Sequence, residues 1–156
     1  FVGTNFTRLL DSRNILYDRW NRTQSDNLGD CSILVHFAGR AHQMIESSDD
    51  LMSEFRQVNL DLTVFLAKTA ISKGIKKFIH LSSVKVMGEK PGCYTESDRL
   101  NPDDPYGFSK AEAESGIREL FKNQTHSHCI IIRPPMIYGP WNKGNMLSFL
   151  KAASTF

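Results

Sequence analysis

The stretch "SILVHFAG" (residues 32–39) decides the fold. It is a short, nearly continuous apolar run that ends in small residues. Two runs resemble it, "KKFIHLSS" (76–83) and "CIIIRPPMIYG" (129–139), each ending in small residues or a Gly/Pro cluster. Strands without polar alternation fit a parallel sheet covered on both faces. A weaker run, "NILYDRW" (14–20), reads as a possible fourth strand.

Two helical patterns separate the three runs. In "DDLMSEFRQVNLDLTVFLAKTAISKG" (49–74), Leu51, Phe55, Val58, Leu62, Phe65 and Thr69 recur at steps of three and four, which predicts one helix face. Ser48, Asp49 and Asp50 suit its N-terminus and Gly74 its C-terminal cap. A second helix is predicted from Pro105 to Phe121, with Ala113, Ile117, Leu120 and Phe121 on its apolar side. Strand, helix, strand, helix, strand makes βαβ units. The expected class is α/β, a Rossmann-like doubly wound parallel sheet with helices on both faces. The polar stretch Glu89–Asp104 then lies as a loop at the C-terminal side of a strand, where such sheets bind ligands.

The bulk properties agree with this class. At 156 residues the chain has the length of one domain. A net charge of +2 with mixed signs gives no electrostatic case for nucleic acid or an anionic membrane. No apolar run approaches the ~20 residues of a membrane helix. Cys31, Cys93 and Cys129 are odd in number and far apart, so free thiols, a reducing compartment and a cytoplasmic location are expected. His126-x-His128 has no further ligand candidates nearby, and no metal site is expected. His36 and His80 lie in apolar strands and read as satisfied core histidines, and Arg40 and His42 receive no role.

"DPYGFSK" (104–110) places Tyr106 and Lys110 four apart at the start of the second helix. With four Tyr in 156 residues, chance supplies about a quarter of such a Tyr-x-x-x-Lys match, so the pair alone decides nothing. Its chemistry is nonetheless specific. A phenol titrates near pH 10, too high for a base at neutral pH. An ammonium one helical turn away would stabilise phenolate and lower that value.

Taken in order, "FVG" (1–3), "VHFAG" (35–39), "VNLDLT" (58–63), "HLSSVKVMGE" (80–89), "DPYGFSK" (104–110) and "RPPMIYGP" (133–140) resemble the extended short-chain dehydrogenase/reductases. They are most similar to the NAD-dependent nucleoside-diphosphate-sugar epimerases and dehydratases, the UDP-glucose 4-epimerase group. The resemblance implies Tyr106 as the base for hydride transfer at a sugar carbon, Lys110 as its electrostatic partner and ribose ligand, and Ser83 as the hydroxyl that positions the sugar oxygen. It implies that Phe37, Ala38, Gly39, Asn59 and Pro135 line a nicotinamide cofactor, with Gly3 the last glycine of a dinucleotide fingerprint. Asp18 would hold the adenosine ribose, which favours NAD; Arg19 and Arg22 leave NADP open. Met136 stands where many relatives carry Asn. Asn145 would meet the diphosphate of a nucleotide-sugar substrate.

By the same resemblance, residues 1–139 are expected to form the NAD-binding part and 140–156 the start of the sugar-nucleotide-binding part. The chain is expected to be a fragment or to lack segments: the first strand and first two fingerprint glycines before "FVG", and a βα unit, since only 17 residues separate Asp18 from His36. Val84 and Lys85 follow Ser83 where dehydratases carry Asp-Glu, which argues against a 4,6-dehydratase. A 4-epimerase is the first expectation. A 4-keto-sugar-nucleotide reductase of surface-polysaccharide synthesis and a truncated, non-catalytic binding module are the alternatives. A homodimer is expected by analogy.

Overall fold

The computed structural model describes residues 1–21, 28–41, 50–141 and 152–153. They fall into two compact units, Phe1–Tyr17 with Met136–Phe156, and Asp18–Pro135. In the first unit, helix α1 (Val2–Ser12) carries Gly3 in its opening turn. The Asn5 amide donates to the carbonyls of Phe1 and Pro140, each at 3.1 Å. The Arg8 guanidinium lies 3.6 Å from the centre of the Trp141 ring. Arg22, His42 and Asn145 lie outside the described residues, as does most of the helix expected over "MLSFLKAA".

The second unit holds a parallel sheet of three strands, β1 (Ile33–His36), β2 (Lys77–Leu81) and β3 (His128–Ile132), in that spatial order. Ile33 pairs with Lys77 and Lys77 with His128, so the strands start together and run in step. Between β1 and β2 the chain forms α2 (Leu51–Arg56), a π-helical turn (Gln57–Asp61) and α3 (Leu62–Ser72). Asp50 caps α2 by accepting from the Ser53 amide at 3.1 Å, and Gly74, at φ +70°, follows the end of α3, both as expected. Between β2 and β3 lie a 3₁₀ turn (Val84–Met87) and α4, which spans the predicted Pro105–Phe121.

Phe78 on β2 is fully buried among Leu66, Ala67, Ala70, Ile117 and Phe121 of α3 and α4. Burying one such ring contributes roughly 1.5–3 kcal/mol. Cys129 and Ile131 pack on this cluster, whereas Ile130 and Ile132 alternate to the other face and are exposed.

Two expectations are corrected. "NILYDRW" forms no strand: the segment is irregular, Leu16 is 99% exposed, and Trp20 anchors it on the core. The long first helix does not keep one register. The π turn inserts an extra residue, so the buried stripe runs Phe55, Asn59, Thr63, Leu66, Ala70 instead of Phe55, Val58, Leu62, Phe65, Thr69. Phe65, expected in the core, is 42% exposed as a result, although Thr69 remains buried.

Candidate active site

The residues expected to carry chemistry gather at the C-terminal ends of the strands. Beyond β2 the chain turns at Ser82 and Ser83 into the 3₁₀ turn. The Ser82 amide donates to the Ile132 carbonyl at 2.7 Å, and the Val84 amide to the Pro134 carbonyl at 3.2 Å. The segment Arg133–Pro134–Pro135 therefore runs beside Ser83. The Ser83 hydroxyl accepts from the Lys85 amide at 3.3 Å, which fixes its side chain at the head of the turn.

α4 begins against this turn. Asp104 caps it by accepting from the Gly107 amide at 2.6 Å, and Pro105 occupies the first helical position, where its missing N–H costs nothing. A Cβ on Gly107 would stand 2.8 Å from the Lys85 carbonyl and 3.1 Å from Pro102. The tight approach that Gly107 permits seats Tyr106 near Ser83. Burial raises the Tyr106 phenol above its ordinary value, the nearby Ser83 side chain lowers it, and Asp104 raises it further.

Lys110 is 2% exposed one turn along. Its ammonium donates to the Leu81 carbonyl at 2.6 Å and meets His80 Nε2 at 3.2 Å. Burial lowers Lys110 to about 8 against an opposing pull from Glu114. The expected lowering of the phenol by Lys110 is thus not seen in this arrangement: the ammonium leans onto β2, and burial dominates at Tyr106.

Asn59 sits fully buried in the π turn. Its Oδ1 accepts from the Arg40 amide at 2.8 Å, and its Nδ2 donates to the Arg40 carbonyl at 3.0 Å and to Ser109 Oγ at 2.9 Å. Ser109 in turn donates to the Tyr106 carbonyl at 2.8 Å. One asparagine therefore ties the segment after β1 to the helix of Tyr106. A Cβ on Gly39 would lie 3.3 Å from Asn59 Oδ1 and 3.8 Å from Lys110 Nζ. Ala38 and Gly39 are exposed above these two groups, a bare backbone strip that a flat ligand can approach closely.

The structure brings together Ser83, Tyr106, Lys110, Asn59, Gly39 and the Pro134 backbone. Asp18 does not join them. Its carboxylate lies 3.1 Å from where a Gly29 Cβ would stand and acts on Cys31, residues that lead into β1, whereas Gly39 follows that strand.

Pattern reading missed a buried ion pair. Glu114 is fully buried. It accepts from Ser82 Oγ at 2.6 Å and from Arg133, whose Nη2 is 2.6 Å from Oε2 and whose Nε is 3.0 Å from Oε1. This pair ties the end of β2, the middle of α4 and the segment after β3 into one unit. The available signal was a carboxylate four residues beyond Lys110, beside the apolar Ala113 and Ile117, with one arginine closing an Ile-Ile-Ile run. Among the described residues no helix is long and apolar enough to cross a membrane, and no group of three metal-ligating side chains occurs.

The chain is 41% identical over 130 residues to a UDP-glucose 4-epimerase of Vibrio cholerae, covering 81% of this chain and 39% of that protein. It is 32% identical over 109 residues to the dTDP-D-glucose 4,6-dehydratase of Mus musculus, covering 69% of this chain and 30% of that one. A solved UDP-glucuronic acid 4-epimerase from Bacillus cereus, in complex with UDP-glucuronic acid and NAD, superposes with a TM-score of 0.67 at 28% identity, covering 88% of this chain and 46% of that one. The chain thus spans less than half the length of these relatives. The model of the NAD dependent epimerase/dehydratase family matches residues 1–154, and the chain belongs to that family.

Proposed function

We propose that this chain carries the cofactor-binding and acid/base half of a nucleoside-diphosphate-sugar 4-epimerase. The observation that supports the reading is the approach of the Ser83 side chain to the Tyr106 phenol at the strand ends, close enough to lower its titration, with Lys110 Nζ 3.8 Å from where a Gly39 Cβ would stand. The cradle fits a nicotinamide dinucleotide. Ala38 and Gly39 present backbone without bulk, Lys110 offers an N–H donor, and Asn59 holds the segment in place. Phe37, Ala38, Gly39, Asn59, Tyr106, Lys110 and Pro135 would hold NAD, and residues 140–156 would open the sugar-nucleotide part. When bound, NAD supplies the two-electron acceptor and donor for sugar carbon 4.

The chain's own residues would do the rest. Ser83 Oγ orients the sugar 4-hydroxyl toward Tyr106 Oη. Tyr106 Oη takes that proton as the carbon is oxidised and returns it as the epimer forms. Lys110, one helical turn away and held on β2, would add a positive charge that favours phenolate without touching the phenol. A dehydratase needs an additional acid/base pair after the serine. Here Val84 and Lys85 stand there, and Lys85 is occupied by ion pairs with Glu89 and Asp104. A homodimer through the long helices, covering exposed Phe65 and Phe108, completes the reading.

The test is incubation of the full-length protein with UDP-galactose or UDP-glucose and no added cofactor. Interconversion is expected, with Tyr106→Phe losing about 10²–10⁴-fold in turnover. Conversion only of a 4-keto sugar with added NAD(P)H would replace the epimerase by a reductase. Binding of NAD without turnover of either would leave a non-catalytic module.

A further inference from the structure

The strand reading treats His80 as core filler, yet its surroundings are unusual for one. Its ring is fully buried and stacked on His36, with centroids 5.4 Å apart. Nδ1 has no hydrogen-bond partner. Buried polar atoms are nearly always paired, so the orphaned Nδ1 calls for an explanation. The other nitrogen, Nε2, faces the Lys110 ammonium at 3.2 Å. An ammonium only donates, so Nε2 must accept and the ring proton must sit on Nδ1.

We infer that His80 is a positioning residue, its Nε2 and the Leu81 carbonyl together holding the Lys110 ammonium so that its remaining N–H is left for the Gly39 strip. A lysine ammonium has three donors on a rotating carbon. Two fixed acceptors stop the rotation. The third donor is then presented toward the Gly39 backbone, 3.8 Å from where its Cβ would be. Burial holds His80 neutral, at about 2, so it offers a lone pair to a cation instead of competing with it. The inference rests on the function proposed above only for what the presented N–H does; the holding of Lys110 stands on the geometry alone.

The titratable and charged groups that act on Lys110 are His80 on β2, His36 on β1 and Glu114 on its own helix, with Arg133 behind Glu114. Hydrogen bonding to the charged form favours it. Removing the His80 acceptor therefore lowers Lys110 further, and an alkaline limb of activity set by loss of its proton moves to lower pH. His80→Phe keeps the ring and removes both nitrogens; His80→Gln keeps an acceptor.

Two measurements on the full-length protein decide the matter. ¹⁵N NMR of histidine-labelled wild type should show His80 as the neutral Nδ1–H tautomer over the neutral range, and an Nε2–H ring would overturn the inference. The pH profile of kcat should show the alkaline limb of His80→Phe moved down by roughly one pH unit, with the KM for the sugar nucleotide unchanged and His80→Gln restoring the limb. Equal profiles in all three proteins would overturn it too. Should His80→Phe fail to fold, the tautomer still decides. Should Tyr106→Phe or Lys110→Met keep full turnover, the epimerase reading falls, while the NMR result continues to judge the contact between His80 and Lys110.

Discussion

The two connections between the strands are wound differently. α4 is regular over 17 residues, begins at a capped Asp-Pro and uses one spacing twice: Tyr106, Lys110 and Glu114 follow at steps of four on one side. The first connection starts as α2, opens into a π turn at Gln57–Asp61 and resumes as α3. The regular helix transmits position along its length. The widened turn yields it at one point, where Asn59 reaches three partners that a strict helical register would turn away from. Rigid placement of an acid/base group and close attachment of a loop are thus achieved by opposite means on neighbouring helices.

The largest effect should come from α4. Glu114→Ala leaves the Arg133 guanidinium half-buried without its carboxylate and frees Ser82. A loss of about 3–5 kcal/mol in urea unfolding is expected, as for other broken buried pairs. A smaller loss would mean that α4 is held by apolar packing alone. Next comes the π turn. Asn59→Ala strands the Arg40 amide and carbonyl and one Ser109 partner, at a cost of about 1–3 kcal/mol. Faster hydrogen exchange at the Arg40 amide should accompany the loss. A protected Arg40 amide in the variant would show that the turn persists without its anchor. The smallest effect belongs to the link between the connections. Arg56 grips Glu112 of α4 with Nη2 at 2.6 Å and Nε at 2.8 Å, but on the surface. A double-mutant cycle on Arg56 and Glu112 should give a coupling close to zero at physiological salt. A large coupling would mean that the two helices move as one body.

How much of this was legible differs by element. α4 was readable to its ends because cap, proline and apolar spacing coincide there and nothing tertiary disputes them. The three strands were readable because parallel strands buried on a face need continuous apolar runs. The first helix was readable as a helix but not in its register, since no local preference announces a π turn. The Asn59 side chain is held there by Arg40 and Ser109, 19 and 50 residues away. The "NILYDRW" run has strand-like composition, but among the described residues no strand pairs with it.

By itself the sequence determined the order of elements, the parallel sheet, the extent of α4 and the spacing of Ser83, Tyr106 and Lys110, all of which follow from periodicity, caps and motif order. Tertiary structure alone decided where charges point. Lys110 turns to Leu81 and His80 and not toward the phenol, Glu114 closes on Arg133, and Asp18 stays near Gly29. Such contacts join residues distant in the chain, and their outcome is set by burial and by which donors and acceptors packing brings within about 3 Å.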